Sequence, residues 1–212
     1  MKLLFMNILF LILIPSMLMA QKQINCTHIK QYDLPKGISF KGSLKDALRW
    51  SDKEGVHFTL ITETGEYPSI KVQNENYRDA ELFAYDYLVE KDRSVRKKWG
   101  ISDFVKNCPV DINANFVKNT FQITDLNADG VGEIWIMYKV GCSGDISPIV
   151  MKLIMYQGQK KYAMRGRSRI ELSANEKDGG EFLFDNAFLC APYQIKDFAR
   201  KIWSKNVIEN VQ

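Results

Sequence analysis

The segment Thr124-Asp125-Leu126-Asn127-Ala128-Asp129-Gly130-Val131-Gly132-Glu133 spaces its oxygens as a hard cation requires. Asp125, Asn127 and Asp129 stand at loop positions 1, 3 and 5, Gly130 at 6 permits a sharp turn, Val131 at 7 offers its backbone carbonyl, and Glu133 at 9 adds a carboxylate. Position 12, where an EF-hand places a bidentate glutamate, is Ile136, so the loop leaves into a strand and not into a helix. The chemistry this spacing points to is structural Ca2+ binding, and the alternative is a tight acidic turn that joins two strands without a metal. With the bidentate ligand missing the binding is weak, with a dissociation constant of about 10⁻⁵ to 10⁻³ M. The ion would cancel the repulsion among Asp125, Asp129 and Glu133 and fix the register of the two flanking strands.

A second reactive pattern is cationic. In Tyr162-Ala163-Met164-Arg165-Gly166-Arg167-Ser168-Arg169-Ile170, strand alternation puts Arg165, Arg167 and Arg169 on one face. Guanidinium groups in a row suit the phosphates or carboxylates of an acidic glycan. The same face also serves to discourage edge pairing. Acid–base chemistry has thinner support. Asp111 and Asp145 follow two cysteines at matching offsets, in Cys108-Pro109-Val110-Asp111-Ile112 and Cys142-Ser143-Gly144-Asp145-Ile146, and a pair of carboxyls suffices for glycosidic cleavage. Their ordinary reading is loop capping. Ser143 and Ser147 have no partner nearby in sequence, and His28 and His57 are isolated, so no nucleophile is assigned.

The elements that position these groups read mostly as strands. Ala47 to Ser51 and Val56 to Thr62 form a hairpin about Lys53-Glu54-Gly55, and Ala80 to Glu90 is a long aromatic-rich strand. Phe121 to Thr124, Glu133 to Val140, Val150 to Tyr156 and Tyr162 to Leu172 continue the pattern, with a short strand at Glu181 to Phe184. After Pro192, Ile195, Phe198, Ala199 and Ile202 recur at helical spacing. The expected fold is mainly β (α+β): one antiparallel meander sheet with a C-terminal amphipathic helix at 193–209. Residues 46–212 form the β-rich domain, and 21–45 form an N-terminal arm.

Residues 1–20 read as a signal peptide, with Lys2, the apolar run Leu3 to Ile14 and a cut after Ala20. Cys26 lies too far beyond that cut for a lipid anchor, and no later run is long enough to span a bilayer. The mature chain is then periplasmic or secreted. There the four cysteines form two disulfides by default. The echo between the two cysteine segments favours Cys108 with Cys142, which leaves Cys26 with Cys190. The chain has 212 residues and a formal net charge of +4, a globular balance too weakly basic for nucleic acid.

Two resemblances add to this reading. The loop Asp125 to Glu133 resembles the calcium hairpins of FG-GAP and integrin-type propeller repeats. It occurs once, so it implies the ion and not the propeller. The chain also resembles a set of small exported bacterial proteins labelled surface polysaccharide biosynthesis proteins. That resemblance runs from Trp50-Ser51-Asp52 and Thr62-Glu63-Thr64-Gly65 through Ala80 to Tyr85, Asp103 to Asp111 and the calcium-type loop. It continues through Cys142 to Pro148, Met151 to Tyr156 and Lys161 to Gly166. It implies a link to lipopolysaccharide or other surface glycans and specifies no chemical step; the reading adopted is a noncatalytic accessory or binding protein in surface-glycan assembly, with surface glycan or an envelope protein as partner. A glycan-directed hydrolase using Asp111 and Asp145 is the alternative. No glycine-rich phosphate loop follows a strand, which argues against a nucleotide-sugar transferase.

Overall fold

The computed structural model describes residues 24–72, 76–173 and 176–209; the signal-peptide reading of 1–20 lies outside them. Where the sequence suggests one meander, the described residues build three antiparallel sheets. The first contains β1 (Cys26–His28), β2 (Ser43–Asp52), β3 (Gly55–Pro68), β4 (Arg78–Val89) and β5 (Val95–Cys108), in that spatial order. Next along the chain come β6 (Ile112–Phe116), β7 (Gln122–Thr124), β8 (Glu133–Cys142), β9 (Val150–Gln157) and β10 (Lys160–Arg167). β11 (Arg169–Glu171) and β12 (Lys177–Gly179) make a separate ribbon, and β13 (Phe182–Phe184) follows. The second sheet runs β13-β10-β9-β8-β6, with β7 also paired to β8.

The split into two main sheets follows from strand parity. In β4, Ala80, Leu82 and Ala84 face the second sheet, while Phe83, Tyr85 and Tyr87 face the other way. In β8, Ile134, Ile136 and Tyr138 meet the first sheet, and Trp135 and Met137 point to the opposite side. Both faces of these strands are apolar because both are covered. The inner layer joins Leu48, Trp50, Trp99 and Ile101 to Ile134, Ile154 and Tyr156, with Trp99 and Tyr156 stacked at 4.1 Å.

The outer face of the first sheet lies under Ile29, Leu34, Ile38 and Phe40, so the expected N-terminal arm is a cover layer anchored by β1 on β2. The outer face of the second sheet is covered by α1 (Asn186–Leu189) and α2 (Tyr193–Asn206). Ile195, Ala199, Ile202 and Trp203 form the buried stripe of α2. The helix stops before 209 because Val207 caps it and Ile208 bridges to Arg169: Arg169 N–H donates to the Val207 carbonyl, and Glu209 N–H donates to the Arg169 carbonyl. Among the described residues, no helix is long and apolar enough to cross a membrane.

The long strand β5 has no counterpart in the sequence reading, because its charged residues interrupt the apolar pattern. The expected strand Tyr162 to Leu172 breaks at Ser168, whose buried hydroxyl accepts from Ile149 N–H at 2.9 Å while its own N–H donates to the Ile149 carbonyl at 2.8 Å. Cys108 and Cys142 are bonded and tie the end of β5 to the end of β8 across a sequence separation of 34. Closing such a loop contributes about 4 kcal/mol on the chain-entropy account. The second expected bridge does not form. Cys26 lies on the edge strand of the first sheet and Cys190 caps α1 over the second, and both are free and exposed thiols.

Candidate metal centre

Antiparallel pairing of β7 with β8 sets Thr124 opposite Glu133, and the eight residues between them form the loop. Positive φ at Ala128 (56°) and Gly130 (80°) supplies its reversal. Asp125 is 1% exposed. Its Oδ2 accepts from Gly130 N–H at 3.2 Å, and its Oδ1 is buried with no hydrogen-bond partner. Asn127 Oδ1 accepts from Asp129 N–H at 3.2 Å, and Asp129 Oδ1 accepts from Val131 N–H at 2.8 Å. Asp129 Oδ2 takes Asn127 Nδ2 at 2.9 Å and Gln157 Nε2 at 2.8 Å.

Glu133 takes a different role from the one its spacing suggests. Its carboxylate turns back to close the neck of the loop, accepting from Leu126 N–H at 2.8 Å and from the Thr124 hydroxyl at 2.7 Å. Burial pushes its carboxyl up from the usual range against the pull of those donors, and the Asp125 charge adds to the push. Asp125, Asn127, Asp129 and the Val131 backbone thus line the turn, and Glu133 stands behind it.

The loop rests on a second polar cluster that sequence spacing did not assemble. Trp50 and Asp52 on β2, His57 and Thr59 on β3, and Asp86 on β4 share the parity of the inward-facing residues Leu48, Ile61 and Ala84. They form a polar end to an otherwise apolar layer. His57, 2% exposed, stacks on Trp50 at 4.1 Å. Its Nδ1 lies 2.9 Å from Asp86 Oδ2, and Asp86 Oδ1 accepts from the Thr59 hydroxyl at 2.7 Å. Thr59 Oγ1 in turn accepts from Trp50 Nε1 at 2.8 Å.

On its other side, His57 Nε2 lies 3.3 Å from Asp52 Oδ1 without the geometry of a hydrogen bond. Burial alone would lower the imidazole's pKa, but Asp52 and Asp86 outweigh it and raise it to about 9. For Asp52, burial is outweighed by His57 and by the Gly132 and Glu54 N–H groups, which hold its carboxyl below the usual range. Asp86 is pushed up by burial against the pull of His57 and Thr59. Imidazolium between two carboxylates is the state this geometry favours.

Three contacts join the clusters. Gly132 N–H donates to Asp52 Oδ2 at 3.0 Å, Lys53 N–H to the Gly130 carbonyl at 3.0 Å, and Lys53 Nζ to the Asp129 carbonyl at 3.1 Å. Gly132 is also pressed on Trp50, where a β-carbon would come within 2.5 Å of the indole. The turn between β2 and β3 therefore clamps the acidic loop to the first sheet.

The remaining sequence candidates disperse. Arg165 is exposed on β10, Arg167 pairs with Glu181 at 2.5 Å and approaches Asp178 at 3.8 Å, and Arg169 belongs to β11 beyond the break at Ser168. They do not form the expected row of three guanidiniums on one strand. Asp111 and Asp145 lie on exposed loops beside the disulfide. Asp145 accepts from the Ser143 hydroxyl at 2.5 Å, a bond that with Ser147 holds its carboxyl below the usual range, the wrong direction for a general acid. The other histidine, His28, is exposed on β1 and pairs with Asp46 at 2.8 Å. A groove of about 500 Å³ opens between β2, β3 and the segment after β6, lined by Lys45, Glu63, Phe116, Lys118 and Phe121 among others.

No family model, curated protein or solved structure matches this chain.

Proposed function

We propose that the chain is a noncatalytic accessory protein of the cell envelope that binds surface glycan and is stabilised by Ca2+ in the loop Asp125 to Glu133. The observation that carries the calcium reading is Asp125 Oδ1, a buried carboxylate oxygen without a hydrogen-bond partner at the first ligand position of the loop. Leaving such an oxygen unpaired costs about 1–3 kcal/mol or more, a cost that a cation removes. Asp125, Asn127, Asp129 and the Val131 carbonyl would hold the ion, with Glu133 closing the neck. This fits oxygen-only coordination.

Export is supported by the Cys108–Cys142 bond, which persists in oxidising compartments, and by the sequence of residues 1–20. For the glycan, the groove beside Lys45 and Lys118 offers cations next to the aromatic faces of Phe116 and Phe121. That combination of cation and aromatic ring suits an acidic sugar, with Lys45 paired to Glu63 at 3.1 Å, as Arg167 is paired to Glu181. The test measures binding of the full mature chain to purified lipopolysaccharide with calcium and with chelator, comparing Lys45→Ala/Lys118→Ala with Arg165→Ala/Arg167→Ala. Loss in the first pair alone supports the groove, loss in the second supports the strand face, and undiminished binding in both removes the glycan reading. Melting that does not change across millimolar calcium removes the calcium reading.

A further inference from the structure

We propose that Asp52, Glu54 and His57 form a second, independent site for a divalent transition-metal cation, with His57 Nε2 and the two carboxylates as ligands and Asp86 as the residue that orients the imidazole. Among the described residues this is the group of three whose ligand atoms all lie within 4.8 Å of one another. The spacing fits an ion: two ligands about 2.0–2.1 Å from one tetrahedral centre stand about 3.3–3.4 Å apart, and His57 Nε2 lies 3.3 Å from Asp52 Oδ1.

A second observation points the same way. His57 Nε2 is buried and has no hydrogen-bond partner, although it faces a carboxylate. Its other nitrogen is held at 2.9 Å by Asp86, which is itself fixed by Thr59. A carboxylate on the far nitrogen sets the tautomer and orientation of a metal-binding histidine.

Charge supports the assignment. Three carboxylates, Asp52, Glu54 and Asp86, face one lysine, Lys98, which is paired with Glu54. A divalent ion on a neutral imidazole brings these groups to neutrality. One imidazole with two carboxylates suits zinc, manganese or cobalt better than calcium, which prefers oxygen alone. Glu54 sits on the exposed turn between β2 and β3 and leaves a side open for entry and for a water ligand.

The experiment titrates Zn2+ into the metal-stripped full chain against a chromophoric chelator, with the thiols of Cys26 and Cys190 alkylated, and records the visible spectrum with Co2+. The expected result is one tightly bound equivalent and the absorption bands of a four- or five-coordinate Co2+ site. Glu54→Gln should weaken Zn2+ binding at least ten-fold and Asp86→Asn by about 10–100-fold, while Asp125→Asn leaves it unchanged. Failure of the calcium loop therefore does not touch this site. Glu54 is on the surface, so Glu54→Gln reports even if the Asp86 variant does not fold. No bound equivalent, or one that Glu54→Gln does not weaken, overturns the assignment.

Discussion

Two acidic clusters meet at one corner of this protein and are built in opposite ways. The loop Asp125 to Glu133 is local: nine residues hold its oxygen groups, its turn geometry is internal, and its internal conflict is one carboxylate oxygen left without a hydrogen bond. The cluster around His57 is assembled from β2, β3 and β4, and its carboxylates are answered by an imidazole, a hydroxyl and N–H groups. The first cluster is organised to accept a charge from solution, whereas the second carries a counter-charge already. In the ion-free protein, the His57 cluster should therefore dominate stability, and the loop should respond most to added calcium.

The harshest way to break that contrast is to remove one carboxylate from the His57 cluster. Asp86→Ala leaves a buried imidazolium with one partner and frees Thr59, and breaking a buried pair of this kind costs about 3–5 kcal/mol. Urea denaturation should show that loss as a lower midpoint with an unchanged slope. A loss below about 1 kcal/mol would reduce the cluster to the level of a surface ion pair.

Titration sharpens the contrast next. His57 is raised from 6.5 to about 9 in the folded protein by Asp52 and Asp86, with Glu54 and Lys98 as the other charges nearby. A folded value above the unfolded one means that the stabilisation is complete below about pH 6.5 and is lost as pH rises through about 9. In metal-free protein this should remove on the order of 3 kcal/mol between those limits. The His57→Gln variant should be flat over the same window. Equal slopes in parent and variant would place the titrating group elsewhere.

The loop should answer to calcium instead. An ion at a hundred times its dissociation constant adds about 2.7 kcal/mol, roughly 5–10 °C in melting temperature for a chain of this size. Asp125→Asn should abolish that increment. In chelator the same variant should melt no lower than the parent, because it removes a buried charge that has only the Gly130 N–H to answer it. A variant that melts well below the parent in chelator would make Asp125 a structural residue and not a ligand.

The difference between the clusters also explains what was legible in the sequence. The loop was readable because its oxygen-bearing and turn residues fall at fixed offsets within one segment, and only the backward turn of Glu133 was hidden. The His57 cluster depends on three strands aligned in register, with Trp50 opposite His57 and Thr59 opposite Asp86. Its trace was present in β4, where Asp86 is the charge that continues the inward parity of Ala80, Leu82 and Ala84. Recognising that trace required knowing that this face packs on a second sheet. The single-sheet expectation failed for the same reason: β4 and β8 are apolar on both faces, and alternation cannot say what covers each. The Cys108–Cys142 bond followed from a local echo, whereas a Cys26–Cys190 pairing chosen by elimination did not form.

The smallest effect tests the seam between the clusters. Lys53 donates its ammonium to the Asp129 carbonyl, in the turn that would receive the ion, while its backbone N–H holds the Gly130 carbonyl. Lys53→Met removes the charge and keeps the stem and the backbone bond. The ammonium contact is exposed, so the ion-free protein should change by less than about 1 kcal/mol. A positive charge beside a cation site repels the ion, so calcium affinity measured by calorimetry should rise about two- to five-fold, and more at low salt. A fall in affinity would mean that the ammonium positions the loop for calcium instead of competing with it, and the loop would then depend on the first sheet for its shape as well as for its support.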